Sequence, residues 1–114
     1  MYSIIRNEVS RVDIQIKKGV LDACVLYALS RGESYGYKII DDLKDIIIIS
    51  ESTLYPILKR LESSGAVTTR TAEFNGRLRR YFSLTGLGQE KLMESKRDFE
   101  AINSIYNKIF GGKL

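Results

Sequence analysis

Histidine and tryptophan are absent from this chain, and cysteine and proline occur once each. Without histidine there is no imidazole for acid–base catalysis, no Ser-His or Cys-His nucleophile pair and no histidine-containing zinc site. The single thiol, Cys24, excludes an intrachain disulfide and any CxxC site. Long apolar runs are missing as well. The longest, Ala23 to Leu29, has seven residues, against the roughly 20 that span a bilayer. Arg6, Glu8, Arg11 and Asp13 interrupt the first apolar residues, so neither a signal peptide nor a membrane partner is expected. What remains is 114 residues, 44% hydrophobic, enough for one core. The expectation is a reduced, cytoplasmic protein with no metal and no cofactor.

The hydrophobic period changes in an ordered way along the chain. Ile5, Val9, Val12 and Ile16 give a weak amphipathic helix at the start. From about residue 14 to residue 31, Leu21, Cys24, Val25, Ala28 and Leu29 repeat as one helical face, stopped by Gly32. Ser34 is placed to cap a third helix whose broad face holds Tyr35, Ile39, Ile40, Leu43 and Ile47. The β-branched run Ile46 to Ile49 then predicts a short extended stretch. Leu54, Ile57, Leu58 and Leu61 make the next helix, ended by Gly65; Pro56 favours a start near Ser52.

From Ala66 the period drops toward two. Asn75-Gly76 between the two arms is a strong hairpin signal, because a type I′ turn needs positive φ at both central residues. A two-residue loop sets Phe74 opposite Arg77, Thr71 opposite Arg80 and Thr69 opposite Phe82. Thr85 caps a long helix to about Phe110, with Leu92, Phe99, Ile102, Ile105, Tyr106, Ile109 and Phe110 as its apolar positions. The fold class is mainly α with a small β-hairpin (α+β). Its plan is a winged helix-turn-helix over residues 1–88, followed by a C-terminal dimerisation helix over 89–114.

Charge is unevenly placed. Residues 1–65 hold nine basic and nine acidic side chains, whereas residues 66–88 hold four arginines against Glu73 alone. An Arg-rich hairpin by itself is more often a solvated edge that deters aggregation. Next to a helix-turn-helix the same arginines become a nucleic-acid surface, because the guanidinium fork suits phosphates and base edges. With its apolar positions turned inward, the helix after Ser50 presents Ser52, Thr53, Tyr55, Pro56 and Lys59 outward.

At these residues the chain resembles the PadR family of transcriptional regulators. The resemblance is carried by Lys18-Gly19-Val20-Leu21, by Ser34-Tyr35-Gly36-Tyr37-Lys38-Ile39-Ile40 and by Ser52-Thr53-Leu54-Tyr55-Pro56 through Glu62. It continues in Gly76-Arg77-Leu78-Arg79-Arg80-Tyr81-Phe82-Ser83-Leu84-Thr85-Gly86. It covers about residues 17–90 and implies a winged-helix homodimer, usually a repressor, joined through C-terminal helices. The single C-terminal helix is similar to the smaller of the family's two size classes. Leu78 stands where the family often has proline, and the dimer helix lacks tryptophan.

The resulting expectation is a regulator of double-stranded DNA with a pseudo-palindromic operator. The DNA-binding set is Ser52, Thr53, Tyr55, Pro56, Lys59, Arg77, Arg79, Arg80, Asn75 and Gly76, with Tyr37 and Lys38. The homodimer seam is Leu92, Phe99, Ile102, Ile105, Tyr106 and Ile109, with Ile5, Val9 and Val12. Phe99, Ile102 and Tyr106 either line a site for a small aromatic ligand or pack the seam shut. The alternative function is a winged-helix protein-interaction module without DNA. An enzyme fits poorly: Asp41, Asp42 and Asp45 have no accompanying ligand cluster or Gly-rich turn.

Overall fold

Asp13 turns the chain into the first of the described helices by accepting a hydrogen bond from the Gln15 backbone N–H at 2.9 Å. The computed structural model describes residues 13–112. The weak N-terminal helix and its residues Ile5, Val9 and Val12 lie outside them. Ile16, expected on that element, is part of the helix that Asp13 caps.

This helix, α1, runs Ile14–Ser30. Helix α2 is Gly36–Leu43, and α3 is Glu51–Ser63. Strands β1 (Val67–Phe74) and β2 (Arg77–Leu84) form an antiparallel hairpin, and α4 is Gly86–Phe110. The core lies where α1, α2 and α3 meet the root of the hairpin. Val25, Leu29, Ile39, Leu43, Leu54, Leu58, Val67 and Phe82 are all buried there. Cys24 sits half-buried at the edge of this core, and burial pushes its thiol pKa up. That suits a small apolar filler better than a reactive thiolate.

Two local details differ from the sequence expectation. Ser34 does not cap α2. It pairs with β2 instead, its N–H reaching the Phe82 carbonyl at 3.0 Å and its carbonyl accepting from Phe82 at 2.8 Å. Tyr35 therefore precedes α2 in extended backbone and lies outside the helical face assigned to it. Secondly, α2 ends at Leu43 after two turns, and Ile47 and Ile49 enter the core from an irregular stretch. Helix α3 does begin near Ser52, at Glu51, capped by Ser50, whose hydroxyl accepts from the Thr53 N–H at 3.3 Å. Pro56 sits in its second turn, where it lacks the donor that would otherwise meet the Ser52 carbonyl.

The hairpin has the register expected from its turn: Phe74 pairs with Arg77, Thr71 with Arg80 and Thr69 with Phe82. Asn75 and Gly76 both have positive φ, 50° and 77°. Thr85 caps α4 by accepting from the Gly88 N–H at 3.1 Å, and its hydroxyl donates to the Gly65 carbonyl at 2.6 Å. One side chain thus joins the end of α3, the end of β2 and the start of α4. A Cβ on Gly88 would collide with the Ala66 carbonyl, so glycine is what lets α4 leave the head at this angle. Leu92 still packs on the core, but every described residue from 96 onward is exposed. The described chain is accordingly elongated, 58 × 31 × 22 Å.

Candidate nucleic-acid interface

Helix α3 buries Leu54, Ile57, Leu58 and Leu61 and leaves Ser52, Tyr55, Pro56 and Lys59 exposed. Its first turn and the start of α2 form one wall of a groove; the tip of the hairpin forms the other. Tyr35, Gly36, Tyr37, Glu51 and Tyr55 line the helical wall, and Phe74, Asn75 and Arg77 to Arg80 line the wing. The groove has a volume of about 600 Å³. Gly36 lets Tyr55 lie against this wall, because the Tyr55 ring and hydroxyl occupy the space a Cβ there would need.

The wing carries an alternating row of aromatic and charged groups. Ser34 pairs with Phe82, which sets Tyr35 beside Tyr81, their ring centroids 5.9 Å apart and nearly perpendicular. Arg70 lies over the Tyr81 ring at 4.5 Å and forks onto Glu33 with bonds of 2.7 and 2.6 Å. That fork, with a hydrogen bond from Ser83, holds the Glu33 carboxyl below its ordinary pKa and raises that of Arg70. Further along, Arg79 lies between two rings, 3.9 Å from the Tyr35 centroid and 3.8 Å from that of Phe74. Arg80 pairs with Glu62 at 3.1 Å, and Glu62 also accepts from Thr69 at 2.8 Å. The Arg77 side chain, at the tip, makes no hydrogen bond, ion pair or ring contact among the described residues.

Tyr37, Tyr55, Asn75, Arg77, Arg79 and Arg80 therefore come together around one groove. Lys59 lies in an adjoining depression with Tyr55, Glu62 and Arg80. Gly76 is at the hairpin tip, and Ser52 and Pro56 are on the open face of α3. Two expected residues are elsewhere. Thr53 is half-buried on the flank of α3 that meets Lys17 and Lys18 of α1. Lys38 is paired with Asp42 at 2.7 Å, one turn along α2. An exposed pair of that kind contributes about 0–1 kcal/mol, so a phosphate can replace its carboxylate, as it can for Arg80.

Tyr35, Gly36, Glu51 and Phe74 line the groove although no functional role was expected of them from the sequence. The hairpin register did signal Phe74, by placing it opposite Arg77. Glu51 carries the groove's one acidic side chain, at the helix N-terminus where a carboxylate is favourable. Taken together, the surface can accept an anionic polymer along the wing while α3 presents hydroxyl, phenol and ammonium groups to whatever lies against it.

Comparison with known proteins bears on this surface. Residues 25–94 match the transcriptional regulator PadR-like family. A crystal structure from Streptococcus mutans is 36% identical and superposes with a TM-score of 0.75, covering 85% of this chain and 92% of that one. A PadR family transcriptional regulator from Eggerthella lenta is 29% identical, with a TM-score of 0.79 over 94% of this chain and 96% of its own. Bacillus subtilis PadR, solved in complex with operator DNA, is 30% identical with a TM-score of 0.61; the match covers 66% of this chain and 44% of that longer one.

Proposed function

This chain belongs to the transcriptional regulator PadR-like family, and from that premise we propose that it binds double-stranded DNA as a homodimeric repressor in the cytoplasm, not as an enzyme. The observation that carries this is the groove, where α3 and the wing tip converge with Arg77 unpaired. A helix-turn-helix places its second helix in the major groove with its N-terminal residues on base edges. Here those residues are Ser52, Tyr55, Pro56 and Lys59, with Tyr37 and Lys38 at the start of α2 beside them. Asn75, Gly76, Arg77, Arg79 and Arg80 belong to a wing that follows the phosphate backbone. The Bacillus subtilis relative, solved on operator DNA, supports this placement. Among the described residues no helix is long and apolar enough to cross a membrane.

In this reading residues 1–88 form the DNA-binding head and residues 89–114 the dimerisation helix. The exposed stripe of α4, Phe99, Ile102, Ile105, Tyr106 and Ile109, supports a second copy as its cover. Isologous pairing then presents two recognition helices to a pseudo-palindromic site. Release by a small aromatic ligand between the paired helices, beside Phe99, Ile102 and Tyr106, completes the proposal.

The test is selection of binding sites from a random duplex pool, followed by titration at two salt concentrations. The expected outcome is an enriched pseudo-palindrome with half-sites about 10 base pairs apart, bound by two chains, with affinity falling steeply as salt rises. An unenriched pool, or binding indifferent to salt, would remove the DNA reading. A thermal-shift screen of planar aromatic compounds, with Tyr106→Ala as control, tests the ligand.

A further inference from the structure

We infer that Arg79 is the positioning residue of the wing: its guanidinium clasps Phe74 to Tyr35 and so sets where Arg77 meets the DNA backbone. The inference rests on the DNA reading above and assigns different roles to arginines that the sequence offers as equivalents.

Three observations carry it. The Arg79 guanidinium has an aromatic ring on each side, at 3.9 Å and 3.8 Å. Moving it toward a phosphate would uncover both rings. The two rings also belong to different parts of the molecule. Tyr35 stands immediately before α2, and Phe74 is the last residue of β1 at the hairpin tip. The bridge between Ser34 and Phe82 fixes only the root of the hairpin, and a two-stranded ribbon beyond such a root twists readily. Beyond that bridge the other ties to the head among the described residues are the Arg70–Glu33 fork and the Tyr35–Tyr81 contact, one pair further out, and then the exposed Arg80–Glu62 pair. Finally, Arg77 is the cross-strand partner of Phe74. Its position follows that of Phe74, and its side chain has no partner among the described residues.

Lysine separates the two roles. It keeps the positive charge but lacks the planar group that can stack on two rings. A phosphate ligand would therefore tolerate Arg79→Lys, whereas a clasp would not.

The experiment measures binding of a mixed-sequence duplex by fluorescence anisotropy across a salt series. The proteins are the full-length chain and its Arg77→Ala, Arg79→Ala, Arg79→Lys and Arg77→Ala/Arg79→Ala variants. Arg77→Ala is expected to flatten the slope of log K against log salt by about 0.9, the loss of one phosphate contact. Arg79→Ala and Arg79→Lys should each flatten it by the same amount, and the double variant by no more. A wild-type slope in Arg79→Ala or Arg79→Lys, or a loss of about 1.8 in the double variant, would overturn the positioning role. A second readout needs no DNA. The Arg79 Nε–Hε resonance should be shifted by ring currents and should move part of the way toward the ordinary arginine position in Phe74→Leu, which leaves the Tyr35 ring in place. An ordinary position in the wild type would disprove the clasp even if the chain bound DNA. Conversely, a wild type that binds no duplex refutes the proposed function while this second readout still reports on the stack.

Discussion

Arg60 and Asp22 meet through two parallel N–H···O bonds of 2.8 Å each, a fork that ties the last turn of α3 to the middle of α1. The Asp22 carboxylate raises the Arg60 pKa. Its cation also sits where the helix C-terminus favours positive charge. Helix α3 is therefore held from behind by one planar ion pair in addition to its apolar face.

Because both groups are partly exposed, the fork should contribute modestly. Asp22→Ala and Arg60→Ala are each expected to lower unfolding free energy by about 1 kcal/mol. The double variant should lose little more than either alone. A double-mutant cycle in urea checks this; fully additive losses would mean that the two residues act separately.

Gly36→Ala should destabilise the protein only slightly, by less than about 1 kcal/mol, because its new methyl group displaces the outer end of the exposed Tyr55 ring. In a Tyr55→Ala background that obstruction is gone. Alanine is the better helix former there, so the cost should vanish. Paired thermal melts distinguish this from a general intolerance of α2 to substitution.

Glu33 gives a pH signature of known sign. Its pKa is lowered in the folded state, first by the hydrogen bond from Arg70. The stability it contributes is present above the ordinary glutamate value, about 4.3. It is lost as pH falls through the folded value, which lies below that. Glu33→Gln should therefore be less stable than wild type at neutral pH and converge with it under acid. Unfolding curves collected from neutral pH down to about pH 3 would show parallel rather than converging stabilities if the fork with Arg70 contributed nothing.

Ile105→Glu tests the α4 seam. Ile102, Ile105, Tyr106 and Ile109 are each more than half exposed in the single chain, so a carboxylate costs nothing within one copy, and glutamate is a good helix former. Sedimentation should show a wild-type dimer and a monomeric variant with the same circular dichroism. Operator affinity should fall as well, since the two heads are no longer linked. A variant that remains dimeric would move the interface away from this stripe.

The hairpin was legible in full because its determinants are local. Asn75 and Gly76 supply the two positive φ values, and a two-residue turn then dictates every pair from Phe74–Arg77 to Val67–Leu84. The buried faces of α1 and α3 followed in the same way from spacing, and Thr85 from its position one residue before α4. Ser34 shows where such reasoning stops. A serine before a helix has the same local chemistry whether it caps or pairs with a strand, and only the approach of β2, far along the chain, made it a bridge to Phe82. That pairing placed Tyr35 beside Tyr81 and made it one half of the Arg79 clasp. The sequence by itself determined where α1, α3 and α4 run, which residues form the hairpin and how much positive charge the wing carries, because backbone period and turn chemistry are properties of neighbours. Only the tertiary structure decided which arginines are free: Arg70, Arg79 and Arg80 found Glu33, Tyr35 and Glu62 across long stretches of chain, and Arg77 did not.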